Sequence, residues 1–185
     1  MTSWRVALSL LALVTVTAEA VGLCELERRR ANQTMSRIYR EWPLRPSGDP
    51  VDQSVQHIAS QLARRSGQDG NRRWRTHIVR DLNLNAFSVG DGHVFITEGM
   101  LDFVASEAEL AALIAHEFGH HLAGHFCTPG PKRGFWGSLF GGNDDTKRSR
   151  QRVGSLTALV DPELEREADR IATRILDRAG YDPHA

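Results

Sequence analysis

The stretch IAHEFGHHLAGH, residues 114–125, places four of the chain's eight histidines and one glutamate within twelve positions. Residues four apart on an α-helix share a face, one turn above each other. If the stretch is helical, His116 and His120 can therefore present ring nitrogens to a single ion. The flanking sequence predicts that helix. Ser106 with Glu109 three residues later is a capping-box signature, and Leu110, Leu113, Ile114 and Phe118 recur at helical spacing. The helix is expected from about Glu107 to about His125. His121 and His125 share it but fall outside the i, i+4 pair, which assigns them to packing or hydrogen bonding.

A histidine pair of this kind suits zinc, bound by neutral imidazoles at about 2.0–2.1 Å with a third protein ligand and a fourth position left to water. Glu117 sits beside the pair. A carboxylate there can accept a proton from water as it attacks a carbonyl, so Glu117 is the candidate general base. The third ligand is expected in ELEREAD, residues 163–169, where Glu165 and Asp169 lie four apart on the flank of an apolar stripe. One carboxylate can reach the ion while the other accepts the second N–H of a ligand histidine. Glu163 and Glu167 should point elsewhere, on a solvated face with Arg166, Arg170 and Arg174.

The rest of the chain places this helix in context. With 185 residues, 41% of them hydrophobic, one domain is the default. Lys plus Arg and Asp plus Glu both number 23, which leaves no bulk positive field for a nucleic-acid partner. Residues 1–20 carry Arg5, an apolar run from Val6 to Val16 and a terminal AEA, the pattern of a signal peptide cleaved after Ala20. The run is shorter than the ~20 residues of a spanning helix. Leu23 before Cys24 disfavours lipidation of that cysteine. In an oxidising compartment Cys24 and Cys127 either bridge or stay as two thiols, and their spacing does not choose.

Residues 21–49 read as an N-terminal helical segment, with Met35, Ile38, Tyr39 and Trp42 at helical spacing, followed by a Pro-rich linker. A second helix carries Val51, Val55, Ile58, Ala59 and Leu62. The period then shortens, and WRTHIVRD, NLNAFSV and HVFIT, with the GDG turn, predict a small antiparallel sheet with a hairpin. His93 on that hairpin is read as a strand residue. Residues 128–160 form a variable loop with Phe135, Trp136 and Phe140 at its centre. A last helix starts at Asp161 and Pro162 and ends at Gly180.

Taken in order, NAFSVGDGHVFITEGML, SEAELAALIAHEFGHHLAGH, ELEREAD and AGYDP resemble peptidase family M48, which includes HtpX-like and CAAX prenyl protease-like zinc metalloendopeptidases. The resemblance covers roughly residues 50–185. It implies an α+β, mainly helical zincin-type domain with a small antiparallel sheet beside the active-site helix. It also implies one zinc held by His116, His120 and Glu165, Glu117 as base, and Asp169 as support behind the ligands. An extended or unfolded polypeptide would pair along the strand around Asn85 to Val89 or its partner. The expected setting is periplasmic or extracellular quality control, with association to a membrane surface or an envelope complex left open. Family members continue past GYDP into a His-Pro segment whose histidine steadies the oxyanion, and His184 does not match it. An alternative is therefore a weakly active or inactive module that binds unfolded polypeptides or an envelope partner.

Overall fold

A computed structural model of the chain describes residues 24–67, 72–127 and 161–182. Its helices begin and end where local chemistry satisfies their free backbone groups. Asp49 caps α2 (Pro50–Arg65), Ser106 caps α4 (Glu107–Leu122), and Asp161 caps α5 (Pro162–Ala179), each by accepting a backbone N–H of the first turn. α5 ends at Gly180, as expected. The remaining helices are α1 (Glu25–Glu41) and a short α3 (Glu98–Phe103), which the sequence reading did not anticipate. Residues 1–20, read as a signal peptide, the aromatic residues of the 128–160 loop and His184 lie outside the described residues.

α4 stops at Leu122, three residues short of the expected end at His125. The cause is Gly124, whose φ of +71° is left-handed and turns the chain back, so that the His125 N–H donates to the His120 carbonyl at 3.1 Å.

The sheet corrects a second expectation. It has three strands in the order β1 (Arg75–Val79), β3 (His93–Thr97), β2 (Ala86–Gly90), and it is mixed. β2 and β3 form the predicted antiparallel hairpin, whereas β1 runs parallel to β3 on its other side. After β1 the chain crosses the end of β3 before turning into β2, a span of two strand spacings or about 9.5 Å. Hydrogen bonds from Gly99 N to Asp81 O at 2.9 Å and from Asn85 N to Thr97 Oγ1 at 3.0 Å hold that crossing.

β3 is buried along its whole length because helices cover both faces. Ile78, Val94 and Ile96 join Val55, Leu62, Ile114, Phe118 and Ile175 of α2, α4 and α5 in one core. On the opposite face Val79, Phe87, Val89 and Phe95 pack with Met35 and Ile38 of α1. Full burial of Phe87, Phe95 and Phe118 contributes about 1.5–3 kcal/mol apiece. α1 thus completes the sheet's second layer. Its start is fastened by a disulfide between Cys24 and Cys127, Cα atoms 5.8 Å apart, which resolves the choice left open by the sequence. No helix among the described residues is long and apolar enough to cross a membrane.

Candidate metal centre

α4 and α5 come close together at Gly119. A Cβ added there would lie 2.4 Å from the carbonyl oxygen of Ala168 and 2.8 Å from its Cα. Hydrogen alone fits, so the two backbones meet and Glu165, one turn before Ala168, comes to lie against the histidine pair.

The result is a triangle of donor atoms. His116 Nε2 and His120 Nε2 are 3.0 Å apart, and Glu165 carboxylate oxygens lie 3.2 Å from the first and 3.4 Å from the second. Ligands at about 2.0–2.1 Å in a tetrahedron are separated by roughly 3.3 Å. The three donors fit one tetrahedral ion with a fourth position open, and all three residues are partly exposed.

The outer nitrogens of both rings are also occupied. His116 Nδ1 is 2.8 Å from Asp169 Oδ1. His120 Nδ1 is 2.9 Å from His125 Nδ1, and His125 Nε2 is 3.2 Å from Glu167 Oε2. An ionised carboxylate only accepts, so Nε2 of His125 carries the proton. Its Nδ1 is then bare and accepts from His120 Nδ1–H, which leaves His120 Nε2 free to face the triangle. Glu167 therefore belongs to the site and does not sit on a purely solvated face, whereas Glu163 is exposed.

Glu117 is 8% exposed, and its Oε2 accepts a hydrogen bond of 2.5 Å from Ser88 Oγ on β2. The edge strand and the candidate base are in direct contact. His93 lies away from the centre, on the strand face where its ring stacks with His77.

His121, on the other side of α4, belongs to a separate cluster. Its Nδ1 lies 3.3 Å from Glu27 Oε1, and the Arg72 guanidinium pairs with the same carboxylate. Glu27 also accepts the Asp91 backbone N–H at 2.9 Å. The side chains of Glu27 and His121 are 0% exposed and that of Arg72 is 5% exposed. The disulfide closes over this cluster, with Cys127 Sγ 3.6 Å from Glu27.

The protonation of these groups follows from their neighbours. Burial works against a charge on His116, but the hydrogen bond to Glu165, the charge of Glu117 and the hydrogen bond to Asp169 outweigh it and push the ring up to about 9. Hydrogen bonds from His116 and His120 hold Glu165 down at about 2. Burial pushes His121 down to about 4, and the Arg72 charge acts the same way against the pull of Glu27. Burial would raise Glu27, yet the hydrogen bonds from His121 and Arg72 bring it below the usual carboxylate range.

Residues 50–130 match the model of Peptidase family M48. Mitochondrial metalloendopeptidase OMA1 of Schizosaccharomyces pombe is 33% identical over 103 residues, covering 55% of this chain and 30% of that protein. Its namesake in Saccharomyces cerevisiae is 27% identical over 176 residues, covering 85% and 51%. The beta-barrel assembly-enhancing protease of Yersinia pestis is 27% identical over 125 residues, covering 59% and 26%. The chain thus spans about half or less of the length of these relatives. Over residues 50–130, which carry the histidine pair, the chain is similar to peptidase family M48.

Proposed function

We propose that the chain is a zinc-dependent endopeptidase. His116, His120 and Glu165 are the ligands of one zinc ion, Glu117 is the general base, and Asp169 holds His116 in the ligating tautomer. The observation that carries this reading is the donor triangle at tetrahedral spacing beside a buried carboxylate. Zinc bound there supplies a Lewis acid that polarises the scissile carbonyl and acidifies water. Glu117 takes the proton of the attacking water and passes it to the departing amine. β2, at the edge of the sheet beside α4, offers main-chain groups to an extended polypeptide, which selects for unfolded or strand-like segments.

A role in quality control of exported proteins is supported by the Cys24–Cys127 bond, which suits an oxidising compartment, and by the signal-like residues 1–20. The relative named a beta-barrel assembly-enhancing protease fits that role, and the one named a mitochondrial metalloendopeptidase supports peptidase activity without the exported setting. The test is casein cleavage by wild type and Glu117→Gln. The substitution is expected to lower turnover by about 10²–10⁴ with zinc still near one per chain. Chelation abolishes cleavage and added zinc restores it. Unchanged cleavage by Glu117→Gln would remove the base, and zinc binding with no cleavage by wild type would turn the reading toward a polypeptide-binding module.

A further inference from the structure

We infer that Ser88 is a positioning residue for Glu117, an inference that rests on the peptidase reading above. Along β2 the side chains alternate, and Phe87 and Val89 enter the core under α1. Ser88, between them, turns to the opposite face and is 2% exposed. A hydroxyl buried to that degree costs free energy unless it is bonded. Its partners are both on Glu117, Oε2 at 2.5 Å and the backbone oxygen at 3.4 Å. The hydroxyl has one proton to give, and the charged, nearer oxygen takes it.

Two consequences follow for the reaction. The terminal torsion of a glutamate is broad and nearly two-fold when free, and the bond from Ser88 holds it in one setting. With Oε2 engaged, Oε1 is the oxygen left to receive the proton of the attacking water. The strand that pairs with an extended substrate is therefore also the strand that aims the base, so seating of substrate on β2 and alignment of Glu117 are set by one backbone.

The experiment compares wild type, Ser88→Ala and Ser88→Thr, each alone and in the Glu117→Gln background. Loss of a hydrogen bond to a charged group predicts a fall in kcat of roughly tenfold or more for Ser88→Ala. KM and zinc content stay as in wild type, and Ser88→Thr, which keeps the hydroxyl, restores most of the rate. In the Glu117→Gln background the Ser88→Ala change has no further effect on residual turnover, whereas a merely structural role would cost both backgrounds alike. A second readout needs no turnover. In metal-free protein the infrared carboxylate stretch of Glu117, identified by its absence in Glu117→Gln, shifts in Ser88→Ala. An unmoved band, or an unchanged kcat in Ser88→Ala while Glu117→Gln is inactive, overturns the role of Ser88 and leaves the peptidase reading standing. Cleavage retained by Glu117→Gln overturns that reading instead.

Discussion

The two sides of α4 carry similar groups in opposite states. On one side His116 meets Glu165 and Asp169, and its ring is pushed up to about 9. On the other His121 meets Glu27, and its ring is pushed down to about 4. Both histidines have a carboxylate partner, so the partner alone does not decide protonation. Burial, complete at His121, does most of it, and the charges around each pair add to it. Behind α4 the Arg72 guanidinium already neutralises Glu27 in a space closed to solvent. In front, the carboxylates of Glu165, Glu117 and Asp169 surround a ring that is partly open to water. One cluster gathers donor atoms at the spacing of a metal site, and the other joins two helices across a buried ion pair.

The comparison is broken most strongly from behind. Glu27→Ala leaves Arg72 charged and buried without its carboxylate, which is expected to destabilise the fold by about 3–5 kcal/mol. Urea titration measures the loss, and zinc affinity of the folded fraction should stay close to that of wild type. A stability unchanged by this substitution would mean that the rear cluster is not structural.

Changing pH separates the sides next. The unfolded chain protonates His121 near the ordinary 6.5, but the folded chain does so only near 4, so stability falls as pH drops between those values, by roughly 3 kcal/mol. Glu27, held below its usual range, adds to the same acid-side loss as pH falls through its folded value. His116 has the opposite sign. Its raised value contributes stability that is full below 6.5 and is lost as pH rises through about 9. Metal-free protein should therefore lose stability at both ends, and zinc, which takes the place of the His116 proton, should abolish the alkaline loss alone. Urea midpoints across pH with and without zinc check both limbs, and an alkaline limb indifferent to zinc would separate His116 from the ion.

The smallest effect comes from the front. Asp169→Asn is expected to weaken zinc binding by about 10- to 100-fold, read by competition with a chromophoric chelator. Urea stability should hardly move, because the Asp169 side chain is 66% exposed.

Much of this site was legible because it is local. The HEFGH spacing, the Ser106 cap and the Asp161–Pro162 start each lie within a few residues, and they place His116, His120 and Glu165 on two definable helices. What escaped depends on distant or left-handed backbone. Alternation along RTHIV identifies a strand but says nothing of its partner or direction, so β1 could not be known to run parallel to β3. Continued as a helix, residue 125 would lie on a different face from residue 120. Only the reversal at Gly124 brings the two rings together and draws in Glu167. The contacts of Glu27 with Arg72 and His121 join positions 45 and 94 residues apart, beyond any periodic pattern. Ser88 offered a weaker hint, as a polar residue on the strand face that turns toward the active-site helix.

The glycine inside HEFGH makes the motif stricter here than its usual spelling. Position 119 acts as a calliper setting: any bulkier occupant would widen the gap between the two helices and carry the acidic ligand away from the imidazoles, even though alanine is the better helix former. Descendants of this sequence are thus free to vary Phe118 within the limits of a greasy interior, while the neighbouring site is confined to a single choice for as long as Glu165 is to meet the two imidazoles.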